Sequence, residues 1–154
     1  MKREIKQLNE LKRLGKSLRL AADGWDEDWK TLVATLMSAR TTDKITILMA
    51  EKLFERYNSV NKLARAKVGD IAKIIRGVNF YKTKSRNVSN LAKILVKEYD
   101  GEVPHDFAKL VELPGVGRKT ANVFLAHQGG AHIGVDTHVF YISHKCLLWL
   151  RHAF

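Results

Sequence analysis

The chain has one cysteine, Cys146, and two prolines, Pro104 and Pro114, in 154 residues. A single thiol forms no intramolecular disulfide, and without three other ligands it holds neither zinc nor an iron–sulfur cluster, so a reducing, intracellular setting is expected. So few prolines, with ten glycines, exclude collagen-like and low-complexity classes. Long apolar runs are missing too. Nothing approaches the roughly 20 apolar residues that span a bilayer, and Met1-Lys2-Arg3-Glu4-Ile5-Lys6 lacks a signal core. A soluble protein with no membrane association is expected. Acidic residues are scarce: 16 Asp and Glu stand against 27 Lys and Arg, for a net charge of +11. That balance favours a polyanionic partner, because clustered cations attract polyanions over a Debye length and couple binding to counterion release. Charge alone does not choose between nucleic acid and an anionic surface.

What is present is a helical pattern. A hydrophobic content of 45% suffices for a core, and apolar residues recur at spacings near 3.6. The first stripe is Leu8, Leu11, Leu14 and Leu18, flanked by Lys12, Arg13, Lys16 and Arg19. Ala21-Ala22-Asp23-Gly24 breaks it, and Asp26 or Asp28 is expected to cap a helix from about Trp29 to Ala39. That helix is apolar nearly all round, with Leu32, Val33, Leu36 and Met37 on its core face, as expected of a helix surrounded by others. Further stripes are Ile45, Leu48, Met49 and Leu53; Ile71, Ile74, Ile75 and Val78; and Val88, Leu91 and Leu95. Strict alternation is scarce and Gly77, Gly101 and Gly129-Gly130 punctuate the runs, so the fold class is all-α. Tyr141, Ile142, Cys146, Leu147, Leu148, Trp149, Leu150 and Phe154 crowd the last residues, which are too apolar for a free end.

Chemistry concentrates in Leu113-Pro114-Gly115-Val116-Gly117-Arg118-Lys119-Thr120, a tight turn leading into an apolar helix. Gly115 and Gly117 permit positive φ and close approach of backbone N–H groups to a ligand, and the following helix adds its dipole, which suits a phosphate. An ordinary helix–turn–helix corner with capping glycines explains the spacing equally well. Lys119 lies in the first turn of that helix, where the dipole and Arg118 disfavour the ammonium form. A neutral amine there forms a Schiff base with an aldehyde-like carbon; the bland alternative is a lysine that pairs with phosphate. In Val135-Asp136-Thr137-His138 the acid is placed to cap a helix from Thr137 and to face Lys119, or to be a simple cap. His127, His132, His138 and His144 lack metal-ligand spacing, so no metal site is expected.

These segments, with Ala121-Asn122-Val123, resemble endonuclease III, a helix–hairpin–helix base-excision DNA glycosylase family. The resemblance extends through Ser38-Ala39-Arg40-Thr41-Thr42-Asp43, Gly77-Val78-Asn79-Phe80-Tyr81-Lys82-Thr83-Lys84 and Gly101-Glu102-Val103-Pro104, in the family's order, to about His144. It implies a helical enzyme that flips a damaged pyrimidine out of duplex DNA into a pocket between two lobes. On that resemblance Lys119 is the nucleophile that attacks the sugar C1′ and leaves a Schiff base through which the strand is cut by β-elimination. Asp136 is the carboxylate that assists by stabilising charge on the sugar and helping to deprotonate the amine. Gly115, Val116, Gly117, Arg118 and Thr120 belong to the hairpin that grips phosphate, whose carbonyls in the family can ligate a monovalent cation. Arg40 stands where bacterial members commonly carry glutamine near the flipped-out base, and Tyr81, Lys82 and Lys84 match a DNA-facing helix–loop. The bland reading of all four is a solvated basic surface.

The resemblance also lays out the chain: residues 1–22 as a helix of the second lobe, 23–134 as a six-helix lobe with the hairpin at about 107–127, and 135–154 as the start of the second lobe. Family members continue well beyond Asp136 to four cysteines that bind a [4Fe–4S] cluster; those cysteines are missing, and no cofactor is expected in this chain. After Ser143 the pattern is lost, and Tyr141 stands where the family has arginine, as expected of a reading frame cut short or shifted. The expected partner is double-stranded DNA with a damaged base or abasic site. The expected state is an intracellular, nucleoid-associated monomer with an exposed apolar tail. Two competing expectations are a non-catalytic helix–hairpin–helix DNA-binding module and an inactive fragment.

Overall fold

A computed structural model describes residues 5, 6, 9, 10, 13, 15 and 18–151. Leu8, Leu11 and Leu14 of the first stripe, with Lys12, Lys16 and Phe154, lie outside the described residues, as do the side chains of Cys146, Leu147, Leu148, Trp149 and Leu150. Everything regular among the described residues is helical, and no strand occurs there. In chain order the helices are α1 (Asp28–Ser38), α2 (Asp43–Arg56), α3 (Val60–Ala64), α4 (Val68–Ile74), α5 (Tyr81–Glu98), α6 (Phe107–Glu112), α7 (Arg118–His127) and α8 (Thr137–Arg151). None is long and apolar enough to cross a membrane.

The central element is α1, which packs against α2, α5 and α7 and buries every residue from Trp29 to Met37. That is the environment its all-round apolar sequence anticipates. The cap differs from expectation. Glu27 occupies the N-cap without a side-chain bond. Asp26 and Glu27 instead hold the Lys30 ammonium at 2.7 and 2.8 Å, neutralising a charge whose stem is buried. Asp28 reaches outward, accepting from Gln128 Nε2 at 2.8 Å and lying 2.7 Å from His105 Nε2, which ties the start of α1 to the segments flanking α6 and α7.

In α2 the buried face is Thr46, Ala50, Leu53 and Phe54; of the expected Ile45–Leu48–Met49–Leu53 stripe, Leu53 is buried and Met49 packs against the core, while Ile45 is 41% and Leu48 50% exposed. Two apolar rows lie side by side on this helix, and the one carrying Phe54 faces inward. Its ring sits edge-on to Trp25 and Trp29 at 4.9 and 5.2 Å, a larger apolar contact than a leucine at position 48 can make. Ile71, Ile75, Val78, Val88, Leu91 and Leu95 are buried as their spacing predicts, with Ile74 partly so. Leu110, Leu113, Val116, Ala121 and Phe124 close the core from the side of α6 and α7, so the glycine turn between those helices is anchored to the same interior as α1. Val139, Phe140, Tyr141 and Ile142 at the start of α8 are exposed.

Candidate active site

The turn between α6 and α7 is built by ordinary backbone chemistry. Asp106 caps α6 by accepting the Lys109 N–H at 2.9 Å, and the Val116 N–H donates to Leu113 O at 3.0 Å across the turn. Gly115 has φ +79°. Gly117 does not share it: as N-cap of α7 it is extended, with φ −87°, so only one of the two glycines serves the left-handed region. Gly115 also leaves no room for a side chain, since a Cβ there would fall 2.7 Å from Asn87 Nδ2 and 2.9 Å from Asn87 Cβ. At Gly117 a Cβ would meet nothing within 4 Å. Gly115→Ala is therefore expected to destabilise the fold by about 1–3 kcal/mol in denaturant unfolding, and Gly117→Ala by less than about 0.5 kcal/mol. Equal effects would show that backbone conformation at 115 is not the constraint.

Val116 turns its side chain into the core, leaving only its backbone to the surface. Gly117, Arg118 and Lys119 are exposed and Thr120 half-buried. The first-turn N–H groups of Arg118, Lys119 and Thr120 have no acceptor within the helix, and the charges of that turn are all basic. An anion placed before this helix end meets backbone donors, the dipole and two cations together.

Beside it stands the pair that the spacing suggested. Lys119 Nζ donates to Asp136 Oδ2 at 2.9 Å, while Asp136 Oδ1 accepts the Val139 N–H at 2.9 Å. The acid thus caps α8 and faces the lysine at once, one oxygen for each. The Val139 N–H first, then the Lys119 ammonium, hold the Asp136 carboxyl down at about 2, so it is an anion at any physiological pH. Both residues open on a cavity of about 350 Å³, whose wall includes Ala21, Ser38, Ala39 and Asp43. Such a volume is that of a small-molecule cleft. Asp43, at the first turn of α2, accepts the Ala21 N–H at 3.2 Å and so pins the segment before α1 onto the cavity wall. Sequence reasoning missed Asp43 and Ala21 as wall residues; an acid opening a helix is read as a dipole partner, and nothing in the spacing places it beside Lys119.

A second cluster lies at the end of α1. Arg40 and Phe80 both have left-handed backbones, φ +57° and +58°, and the guanidinium lies 5.6 Å from the Phe80 ring. Arg40 is exposed and Phe80 is 62% exposed, an aromatic held in water that spacing did not single out. Its only sequence signal is its place just after Gly77-Val78-Asn79, at the N-cap of α5. Tyr81 is half-buried and Lys82 exposed. Lys84, expected to face DNA, is buried instead: its amine donates to Met37 O at 2.7 Å, to Ala39 O and to Thr41 Oγ1, so it caps the C-terminus of α1. Free carbonyls at a helix end attract an ammonium more strongly than solvent exposure at this position allows, and that decides where it points.

No group of three or more His, Cys, Asp or Glu suited to a metal ion occurs among the described residues. A [4Fe–4S] cluster does not fit the donor set, because it needs four thiolates and the chain has one cysteine.

Residues 33–152 match the HhH-GPD superfamily of base excision DNA repair proteins. Endonuclease III of Synechocystis is 42% identical over 116 residues, covering 74% of this chain and 53% of that protein. Endonuclease III of Thermotoga maritima is 38% identical over 126 residues, covering 81% of this chain and 59% of that protein. The chain therefore spans little more than half the length of these curated relatives. Among solved structures, that of a trapped endonuclease III–DNA covalent intermediate, an estranged-adenine complex, superposes with a TM-score of 0.79 at 33% identity, over 93% of this chain and 68% of that one. A thermostable thymine-DNA glycosylase, at 20% identity and a TM-score of 0.75, shares the fold.

Proposed function

Because the chain belongs to the HhH-GPD superfamily of base excision DNA repair proteins, we propose that it is a DNA glycosylase with abasic-site lyase activity on damaged pyrimidines in duplex DNA. The observation that carries this reading is the Lys119 amine held 2.9 Å from the Asp136 carboxylate on the wall of a cavity, beside a helix end that offers free backbone donors and basic side chains. Phosphate of the damaged strand binds the backbone donors of the turn at Gly115–Thr120, with Arg118 adding charge; Lys82 and Tyr81 extend the contact. Arg40 and Phe80 approach the space that the extruded nucleotide leaves, where a planar cation and an aromatic ring can both stack on bases. Such contacts belong inside the cell, with genomic DNA.

The chemistry follows from the pair. Lys119 gives up a proton and its Nζ attacks C1′ as the glycosidic C–N bond breaks and the base leaves with the bonding electrons. The sugar ring opens to a Schiff base, C2′ loses a proton, and the C3′–O bond breaks by β-elimination. Positive charge develops on the sugar during the first step, and the Asp136 carboxylate, beside the attacking amine, is a full negative charge placed to stabilise it. A carboxylate held near 2 is a weak base, so its contribution is electrostatic first and proton transfer second.

Incubation of the 154-residue chain with a duplex containing one abasic site, followed by borohydride, tests the reading. The expected result is a covalent protein–DNA adduct that peptide mapping places on Lys119. Site-selective DNA binding without an adduct would overturn the enzyme and leave a non-catalytic helix–hairpin–helix module; neither binding nor adduct would leave an inactive chain.

A further inference from the structure

Arg40 and Phe80 stand on two separate turns, residues 38–42 after α1 and residues 77–81 before α5, and both turns hold a non-glycine residue at positive φ. Such conformations persist only where the surroundings over-determine them. Three side chains supply that determination. Asn79 donates through Nδ2 to Arg40 O and through its backbone N–H to Thr41 Oγ1 at 3.1 Å. Thr41 donates its own N–H to Ser38 O at 2.9 Å, closing the first turn. Lys84, buried on α5, donates to Met37 O, Ala39 O and Thr41 Oγ1. The three N–H bonds of an ammonium match these three acceptors, and Thr41 Oγ1 is the atom at which the lysine and Asn79 meet.

We propose that Lys84 is a positioning residue for DNA recognition: from the interior it locks the 38–42 turn to the 77–81 turn through Thr41 and Asn79, so that Arg40 and Phe80 enter DNA as one rigid wedge. The inference rests on the repair reading above and adds the part that holds the wedge. Burial pushes the Lys84 amine down to about 8, which leaves its third N–H in place at neutral pH. The amine does not itself line the cavity, although the turn it holds supplies Ser38 and Ala39 to the wall, so its effect falls first on binding at the unstacked site and less on the rate of bond breaking.

The test measures affinity of the full chain for a duplex carrying a tetrahydrofuran abasic analogue, for Lys84→Met, Arg40→Ala and the double variant, with borohydride trapping at saturating abasic duplex as the second readout. Each single substitution is expected to weaken selective binding about tenfold. The double variant is expected to be no weaker than either single one, since a wedge that is not aimed gains nothing from its arginine. For Lys84→Met, trapping at saturation should fall by less than selective binding does, and amide exchange should accelerate at residues 38–42 but not within α5. Full additivity, unchanged exchange at the turn, or a trapping loss equal to the binding loss would each overturn the proposal. If Lys84→Met melts the fold, Thr41→Val removes the shared acceptor at constant volume and carries the same expectations. A wild-type chain with no preference for the abasic analogue overturns the repair reading, and with it this inference, before any substitution is compared.

Discussion

Replacement of Lys119 by alanine is expected to remove the borohydride-trapped adduct and the β-elimination product, a fall of at least about 10³ in trapping rate, because among the described residues lining the cavity beside Asp136 only Lys119 carries an amine that can form the Schiff base. The fold should not change. Lys119 is more than half exposed and its pair with Asp136 is open to solvent, so the loss in stability stays below about 1 kcal/mol. Duplex affinity should fall by no more than a few-fold, since the backbone donors at Gly117 and the exposed Arg118 remain. The measurement compares adduct yield and binding isotherms for the two proteins on the same abasic duplex. A trapped adduct that survives the substitution would place the nucleophile on another lysine, and the chain has many. Equal binding with no adduct from either protein would mean that the hairpin grips DNA and performs no chemistry.

The parts of this molecule that were readable in advance are those decided by local chemistry. The α1 sequence from Trp29 to Met37 is apolar nearly all round, and every residue of it is buried, Lys30, Thr31 and Thr35 included. Asp136 precedes a helix start, and a carboxylate there takes an N–H whatever else surrounds it. Its second oxygen reaches Lys119 because α7 and α8 begin side by side, which the spacing allowed as one alternative and the packing selected. What stayed hidden depended on competition between distant segments. The rotation of α2 was decided by Trp25 and Trp29, which outweigh the burial of Leu48. Lys84 was read as a surface cation because three carbonyl and hydroxyl acceptors 43 to 47 residues earlier in the chain leave no mark on its neighbours in sequence. Gly117 looked like Gly115 in sequence, yet only Gly115 faces Asn87 and needs positive φ. The sequence set Lys119 against the helix dipole and Arg118 and left open whether Asp136 faces it. Asp136 sets a full negative charge 2.9 Å from that amine, beside which the partial charge of a helix end is small.

That last comparison leads to the second large effect. Asp136→Asn is expected to lower base excision at saturating duplex by about 10²–10⁴-fold while leaving DNA affinity within a few-fold. Asparagine still caps α8, because its side-chain oxygen accepts the Val139 N–H as the carboxylate does, so the start of the helix and the cavity wall persist. What disappears is the charge beside Lys119 and the sugar. The pH dependence separates the two ways in which a carboxylate could act. Its folded value of about 2 lies below the usual 3.8, so the ionised form is favoured by folding. The stabilisation it provides is complete above about pH 4, the unfolded value, and is lost as pH falls from there through about 2. Across pH 5 to 9 the group does not titrate. The pH–rate profile of the wild type should therefore show no limb in that range that belongs to Asp136 itself. An acid limb near pH 5 to 6 that is present in wild type and absent from the variant would instead make Asp136 the titrating base that frees the lysine. The absence of such a limb would leave it as a fixed negative charge, present before the reaction begins and stronger in effect as positive charge grows on C1′.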